Sequence, residues 1–380
     1  MNARSPFRPS FGVSPPEIAG RDATIDALVD GLDEGPAAST RVSLVTGARG
    51  IGKTIVLNAI EDAARQRGWL VISETLTPGL LARLDTEHVP QAWAGVRAEL
   101  PPDPTHPRSR RRLSGVSIPG GLGGVSFAVT DAAPLPGLRT NLAALATGLG
   151  ERGSGLLLTV DELHRGGGAV HDDLQTLAGI VQHLWREQAP IAFVGAGLPA
   201  AIQDLLNDRV ITFLRRAERF TLDLLDDDAV ADALRGPIEA AGRRIDDDAL
   251  ERATQLAAGY PYLVQIVGDL SWRVASDRET ITRADVAAIA ARAIRTLGAQ
   301  VHQPAVAALS ERDLDFLTAM LPDAGPTALA DLLTRLDVDN SYASRYRARL
   351  IARGLVRPAG RGRLTFALPY LREHLATLER

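Results

Sequence analysis

The 380-residue sequence contains no cysteine and only one lysine, Lys53, beside 41 arginines. The absence of cysteine excludes a disulfide framework and a thiolate metal site. No stretch of the sequence approaches the roughly 20 apolar residues that a membrane-spanning helix needs. Residues 1–18, which we interpret as a Pro-rich tail, lack the apolar core of a signal peptide. These absences predict a cytoplasmic protein with no membrane partner.

The overall composition is that of a soluble globular protein, with 45% hydrophobic and 23% charged residues. A chain of 380 residues is long enough for two or three domains and at least one large core. The formal net charge of −4 disfavours a protein that coats nucleic acid over its whole surface. Positive charge is nevertheless concentrated near the C-terminus, a distribution that the net value hides.

The single lysine lies in a phosphate-binding motif. Residues 47–54 read GARGIGKT and match the P-loop pattern G-x-x-x-x-G-K-[ST]. The apolar run before it predicts a buried parallel strand at 42–46, and the pattern after it predicts a helix from Lys53. Backbone N–H groups at such a helix start bind phosphate, Lys53 reaches the β- and γ-phosphates, and the Thr54 hydroxyl ligates Mg²⁺. The predicted nucleotide-binding residues are Gly47, Ala48, Arg49, Gly50, Ile51, Gly52, Lys53 and Thr54.

A second buried strand, predicted at 156–160, ends in the acids Asp161 and Glu162. An acid at the C-terminal end of a strand beside the P-loop strand can hold Mg²⁺, which is the role predicted for Asp161 together with Thr54. Glu162 is predicted to orient and deprotonate the attacking water. Lys53, Asp161 and Glu162 therefore form the predicted catalytic set, with ATP or ADP and Mg²⁺ as the cofactors.

Together these motifs resemble the AAA+ and STAND groups of P-loop ATPases, in particular initiator-like ATPases of the origin-recognition type and related archaeal-type ATPases. The resemblance covers most of the chain. It includes the segment GRD at 20–22, similar to one that such proteins place near the adenine, and the turn GYP at 259–261, similar to the G-x-P turn of STAND ATPases. The resemblance implies a parallel-sheet α/β core, an all-α lid, and nucleotide contacts from Arg21 and Pro261.

Three features bear on how such an ATPase would work. The predicted strand at 190–199 ends in Gly195, Ala196 and Gly197, where many relatives carry a polar sensor of the γ-phosphate, so we predict slow hydrolysis or sensing through backbone groups. The helix after Pro261 lacks an early arginine, which favours a STAND-like protein over a ring-forming machine. Arg215 or Arg216 is either an arginine finger in a nucleotide-dependent self-association or a surface residue.

The C-terminal residues are basic. Eight arginines and no acid lie between residues 341 and 372, so the rest of the chain carries a formal charge of −12. Three predicted helices, two of them capped by Ser310 and Thr327, precede a turn and a strand, which is the order of a winged helix–turn–helix. Such segregated charge is typical of nucleic-acid binding. We predict contacts to double-stranded DNA from Arg345, Arg347, Arg349, Arg353, Arg361 and Arg363; the alternative is a module that docks protein partners.

The predicted architecture is α/β, with a parallel-sheet P-loop NTPase core, an all-α lid and a C-terminal winged helix–turn–helix. The core spans residues 19–225 with an inserted loop and hairpin at 101–135, the lid spans 226–300, and the winged helix spans 301–380. The predicted function is an ATP-binding, slowly hydrolysing switch that binds DNA. The alternative function is a STAND-type signalling ATPase whose winged helix docks protein.

Overall fold

The computed structural model describes residues 4–10, 12–98, 137–163, 168–208 and 211–378. The loop and hairpin predicted at 101–135 lie outside the described residues.

The central element is a five-stranded parallel sheet. Its strands are β1 (Val42–Gly47), β2 (Leu70–Thr75), β3 (Leu156–Asp161), β4 (Ile191–Gly197) and β5 (Glu218–Leu222), arranged in the order β2-β3-β4-β1-β5. The residues of β1 and β4 are buried throughout, as expected for parallel strands covered on both faces. The sheet confirms the predicted α/β P-loop architecture of the core.

The strand order corrects one prediction, because β4 lies between the P-loop strand β1 and the acid-bearing strand β3. The two strands are therefore not neighbours. The helix after the P-loop, α2 (Lys53–Gln66), follows α1 (Asp22–Asp33) and connects β1 to the edge strand β2, packing on β4 and β3 along the way. This crossover brings the start of α2 toward the end of β3. Apolar runs predict buried strands but carry no information about their lateral order.

Helices cover both faces of the sheet. Leu157 and Val194 belong to the same apolar cluster as α2, whereas their neighbours Leu158 and Phe193 face a second cluster on the other side. That second cluster includes residues from most of the remaining core helices. These are α3 (Leu80–Arg83), a π-helical turn (Leu84–His88), α4 (Val89–Ala98), α5 (Leu138–Gly150), α6 (Ala169–Arg186) and α7 (Pro199–Asn207).

A helical segment follows the sheet. It contains α8 (Asp227–Ala240), α9 (Asp247–Ala257), α10 (Pro261–Val274) and α11 (Arg283–Leu297), with the short strands β6 (Arg244–Ile245) and β7 (Thr280–Ile281) paired in parallel. A π-helical turn (Gly298–His302) and α12 (Gln303–Ala307) lead out of it. Residues of the predicted N-terminal tail pack on α10, where Phe7 is buried against Gly268.

The C-terminal part combines helices with a three-stranded antiparallel sheet in the order β8-β10-β9. Ser310 caps α13 in a capping box, as predicted. Thr327 does not cap a helix, because its backbone pairs with Leu364 in the sheet and the next helix begins after Ala328. The elements are α13 (Glu311–Thr318), β8 (Thr327–Ala328), α14 (Leu329–Leu336), α15 (Asn340–Ala352), β9 (Val356–Pro358), β10 (Arg363–Phe366) and α16 (Leu371–Leu378).

Candidate nucleotide-binding site

The P-loop turns sharply between β1 and α2. Gly50 and Gly52 have φ angles of 71° and 102°, in the left-handed region that side chains disfavour, and α2 begins directly at Lys53. The loop therefore presents its backbone at the N-terminus of a 14-residue helix. Backbone N–H groups at such a position, together with the helix dipole, attract phosphate.

Lys53 folds back onto its own loop. Its Nζ donates hydrogen bonds to the carbonyl oxygens of Gly47 and Ala48, both at 2.9 Å, and the residue is only 9% exposed. Burial lowers the pKa of Lys53 to about 8, against the opposing influence of Asp161 and Glu162. The carbonyls hold the ammonium at the place where phosphate oxygens would replace them as acceptors.

The predicted Mg²⁺ ligands meet at the end of β3. The Thr54 hydroxyl donates to Oδ2 of Asp161 at 2.6 Å, and the Glu162 N–H donates to Oδ1 of the same carboxylate at 2.6 Å. Hard oxygen donors of this kind suit Mg²⁺, which takes one or two protein ligands and completes its shell with phosphate oxygens and water. Among the described residues, no group of three or more His, Cys, Asp or Glu side chains is placed to hold a metal ion.

Glu162 stands on a constrained turn. Its φ angle is 61°, unusual for a residue with a side chain, and Leu163 fixes the turn by donating its N–H to the carbonyl of Ala196 at 2.8 Å. Glu162 lines the same cavity as Lys53 and Thr54. The turn thus directs a second carboxylate toward the site that the P-loop surrounds.

The glycines at the end of β4, where a polar sensor was not found in the sequence, pack against Leu163. A methyl group on Gly195 would lie 2.6 Å from Cδ1 of Leu163, and one on Gly197 would lie 3.1 Å from Cβ of the same leucine. Leu163 follows the acids of β3 directly. Larger side chains at the end of β4 would therefore press against Leu163, next to Glu162.

A cavity of about 370 Å³ adjoins the P-loop. Pro261 and Arg21, predicted from the resemblance, both line it, together with Tyr262. Arg21 also contacts the loop, donating to the carbonyls of Ile51 at 3.2 Å and Asp223 at 2.6 Å. Burial lowers the pKa of its guanidinium, with Asp223 opposing the shift. The volume lies within the range of small-ligand sites.

One wall of this cavity was not predicted from the sequence. Residues Arg8, Ser10, Val13 and Ile18 of the N-terminal segment line it. The segment is anchored at one end by the Arg8 N–H, which donates to Oε1 of Gln265 at 3.0 Å. The one available signal was Phe7, an aromatic residue within a Pro-rich stretch.

The predicted DNA-contacting arginines fall into two groups. Arg345, Arg361 and Arg363 are exposed and Arg347 is half-buried. Arg349 instead pairs with the fully buried Asp313 at 2.6 Å.

Two further arginines are bound to backbone carbonyls. Arg353 donates to the carbonyl of Ala308 at 2.6 Å. Arg215, a candidate arginine finger, donates to the carbonyls of Leu206 and Asp208 at 2.8 and 3.2 Å.

Comparison with known proteins places this geometry in a class. Residues 17–194 match the AAA ATPase domain family, and residues 299–375 match a family described as a domain of unknown function. No curated protein matches in sequence. The Walker-type ATPase of Pyrococcus abyssi is similar in structure, with a TM-score of 0.67 at 14% identity over 96% of this chain and 97% of that one. The ORC2 protein of Aeropyrum pernix, solved as ADPNP–ADP complexes, gives 0.57 at 16% identity over 97% and 96%.

The class of the core follows from the site and the family match. Residues 17–194 have a P-loop nucleotide-binding fold and match the AAA ATPase domain family, and the whole chain is similar in fold to the two solved structures. The likeness to the two solved structures shows the fold, since their identities are low. Among the described residues, no helix is long and apolar enough to cross a bilayer.

Proposed function

We propose that the protein is a cytoplasmic ATP-driven switch that hydrolyses ATP slowly with Mg²⁺ and binds double-stranded DNA through a C-terminal winged helix. The observation that carries this proposal is the proximity of the C-terminal part to the P-loop. A methyl group on Gly354, just after α15, would lie 3.9 Å from Cα of Ala48 and 3.8 Å from Cδ2 of Leu198. A change in the P-loop would therefore reach the end of α15 directly.

The proposed hydrolysis uses the four side chains at the end of β3 and the start of α2. Lys53 neutralises the β- and γ-phosphates, Thr54 and Asp161 hold Mg²⁺, and Glu162 orients the attacking water. A bound Mg²⁺ would supply charge neutralisation at the transferred phosphoryl group. The missing polar sensor on β4 supports a slow rate, because one contact to the γ-phosphate that other ATPases make is absent.

The proposed winged helix comprises α13, α14 and α15 with the sheet of β8, β9 and β10. In this assignment α15 is the recognition helix and the turn between β9 and β10 is the wing. Arg345 and Arg347 lie on α15, while Arg361 and Arg363 lie at the wing. These four arginines are the proposed phosphate contacts. Arg349 and Arg353 are given a structural role, since each binds acceptors within the protein.

The domain boundaries follow the same assignment. We propose a core at 19–225, a lid at 226–300 and a winged helix at 301–380, with the N-terminal segment acting as a wall of the nucleotide cavity. Nucleotide-dependent self-association through Arg215 or Arg216 is also part of the proposal, and for Arg215 it requires release of the carbonyls of Leu206 and Asp208.

The test is fluorescence anisotropy on random duplex DNA with ATP, ADP or no nucleotide, across a salt series. We expect binding that weakens with salt and changes with nucleotide. Removing two phosphate contacts in Arg361→Ala/Arg363→Ala should reduce the salt slope by about two. The matched control is Arg292→Ala/Arg295→Ala, which removes two exposed arginines of α11. Lys53→Ala, expected to abolish nucleotide binding, should bind DNA equally with and without ATP.

A STAND-type switch that docks a protein is the second candidate, and one contact favours it. Helix α15 packs against α7 of the core, so part of the proposed recognition helix is already covered. Absence of DNA binding at low salt in every nucleotide state would reject the first candidate and leave the second.

A further inference from the structure

Tyr260 joins the lid to the P-loop. It is the residue immediately before α10, and its phenolic hydroxyl donates to the carbonyl oxygen of Arg49 at 2.6 Å. Tyr260 is 1% exposed, and burial raises the pKa of its hydroxyl, so the phenol is a neutral donor over the whole working range of pH. Since 211 residues separate the two partners, this bond links two parts of the fold rather than neighbouring turns.

Gly50 is shaped to accept this contact. The P-loop pattern requires glycine at positions 47 and 52 but leaves position 50 free. A methyl group on Gly50 would lie 2.1 Å from the Tyr260 hydroxyl oxygen, and the φ angle of 71° there also favours glycine. Contact with Tyr260 thus explains why this free position of the motif is a glycine.

The hydrogen bond sets the direction of one backbone N–H group. Among the described residues every peptide bond is trans, so the Gly50 N–H points opposite to the Arg49 carbonyl within the same peptide plane. The carbonyl points into the buried space that Tyr260 occupies. The N–H therefore points to the other side of the loop, where Gly50 lines the nucleotide cavity.

The turn that carries Tyr260 is itself fixed. The Leu225 N–H, at the exit from β5, donates to the carbonyl of Gly259 at 2.8 Å. A methyl group on Gly259 would lie 2.5 Å from the carbonyl oxygen of Leu225, so the two segments are in close contact. Residues Pro261 and Tyr262, next to Tyr260, line the cavity. One short segment of the lid thus reaches both the loop and the rest of the ligand site.

We propose that Tyr260 is a positioning residue that holds the Gly50 N–H toward the β-phosphate of a bound nucleotide and couples the position of the lid to phosphate binding. The proposal rests on nucleotide binding at the P-loop and is independent of DNA. Because coupling is reciprocal, a nucleotide that engages the loop stabilises the lid contact, and a displaced lid weakens the phosphate site.

The test compares Tyr260→Phe with Tyr370→Phe. Tyr370 also donates its hydroxyl to a backbone carbonyl, that of Leu256 at 2.9 Å, but has no part in the P-loop contact proposed here. Affinities for adenosine, AMP, ADP and ATP are measured by calorimetry. Tyr260→Phe should weaken ADP and ATP by about five- to tenfold, the loss of one hydrogen bond, and leave adenosine and AMP unchanged. Tyr370→Phe should change none of the four.

A second variant approaches the same contact from the loop. Gly50→Ala should produce the same selective loss of ADP and ATP affinity, because its methyl group displaces the hydroxyl. Hydrogen exchange of α10 supplies a second readout: ADP should protect the start of α10 in the unchanged protein and much less in Tyr260→Phe. Equal weakening of all four ligands, or unchanged ADP affinity in Tyr260→Phe, would overturn the proposal. Failure of the unchanged protein to bind ADP would reject the nucleotide site itself, whatever the DNA assay gives.

Discussion

The hydroxyl oxygen of Thr54 lies 2.6 Å from Oδ2 of Asp161, although the two residues belong to strand–helix units separated by β4 in the sheet. The contact is made because α2 passes over β4 on its way to the edge strand. It places the two predicted Mg²⁺ ligands beside each other. The crossover of one helix thus brings the two predicted ligands together.

Removal of the negative charge of Asp161 should impair Mg²⁺-dependent hydrolysis without weakening nucleotide binding in the absence of Mg²⁺. In Asp161→Asn the amide oxygen can still accept from the Thr54 hydroxyl, whereas the amide nitrogen replaces the oxygen that accepted from the Glu162 N–H, and the metal loses its anionic ligand. We expect ADP to bind without Mg²⁺ as it does to the unchanged protein. Hydrolysis should fall by about 100-fold or more, with a higher Mg²⁺ concentration needed for half-maximal rate. Steady-state rates across a Mg²⁺ titration check this, and an unchanged Mg²⁺ requirement would contradict it.

Nucleotide binding should take up a proton above about pH 8. Burial lowers the pKa of Lys53 to about 8 in the ligand-free protein. The phosphates bind its charged form and therefore raise that pKa in the complex. Between the two values the complex holds a proton that the free protein lacks, so ADP affinity should fall by up to about tenfold for each further pH unit.

Calorimetry in two buffers of different ionisation enthalpy measures this uptake. The phosphates of ADP are already ionised in this range and add no proton of their own. Proton release, or an affinity independent of pH, would show that Lys53 does not titrate where its burial indicates.

Glu162 should be needed for hydrolysis and dispensable for binding. Glu162→Gln keeps the size of the side chain but removes its capacity to accept a proton from water. We expect ATP affinity within about twofold of the unchanged protein and a rate reduced by about 100-fold or more. Glu239→Gln, at an exposed position of α8, is the control. Single-turnover hydrolysis is the measurement; a normal rate in Glu162→Gln would remove this residue from the mechanism.

A site residue could be predicted from the sequence where a short local motif marks it, and not where its role depends on a contact between distant parts of the chain. The P-loop and the two acids were predictable because each is a short motif joined to an apolar strand. Tyr260 was not, because its role depends on a contact with Arg49 across 211 residues. The N-terminal wall of the cavity was missed for a related reason: proline-rich composition predicts little regular structure, whereas the burial of Phe7 arises from a glycine on α10.

The pattern of charged residues in the sequence likewise predicted the roles of the C-terminal arginines only in part. The run of arginines correctly marked a basic C-terminal part, but the sequence could not distinguish Arg349 from its neighbours. Asp313 lies 36 residues earlier, and only packing of α13 against α15 brings it to that guanidinium. Spacing along one helix therefore identified a charged helix without identifying which of its arginines pairs with a buried acid of the same protein.

Arg349→Ala should destabilise the C-terminal part rather than act specifically on DNA. Asp313 is fully buried, and its carboxylate accepts from Arg349 Nε at 2.7 Å as well as from Ser310. Loss of Arg349 leaves the buried Asp313 carboxylate with fewer hydrogen-bond donors, which should lower the free energy of unfolding by about 1–3 kcal/mol. The hydrogen bonds from Ser310 and Arg349 hold the pKa of Asp313 below its ordinary value, against burial. Its stabilisation is present at neutral pH and lost as pH falls through the lowered pKa.

Urea unfolding at neutral and acidic pH measures this effect. The difference between Arg349→Ala and the unchanged protein should shrink toward low pH, where Asp313 becomes protonated in both. Arg345→Ala, at an exposed position on the same helix, should leave the free energy of unfolding within about 0.5 kcal/mol. A DNA-binding loss in Arg349→Ala without a stability loss would contradict the structural role assigned to this residue.

A second hydrogen bond joins α2 to β3 near the predicted metal site. Thr159, two residues before Asp161, donates its hydroxyl to Oε1 of Glu61 at 2.5 Å, and both residues are buried. Glu61 follows Thr54 by seven positions on α2, so the two bonds form successive links between the same helix and strand. Thr159→Val keeps the shape of the side chain but removes its hydroxyl, so Oε1 of the buried Glu61 loses this hydrogen-bond donor. We expect a loss of about 1–3 kcal/mol in the free energy of unfolding.

Thr254→Val is the control, because Thr254 is also buried and its hydroxyl has no hydrogen-bond partner among the described residues. That substitution should be neutral or slightly stabilising, since it replaces an unsatisfied polar atom by an apolar one of similar size. Chemical denaturation of both variants gives the comparison. If Thr159→Val also shifts the Mg²⁺ concentration for half-maximal hydrolysis, the Glu61 link helps to hold Asp161 against Thr54. Equal stability of the two variants would show that the bond to Glu61 contributes nothing to the fold.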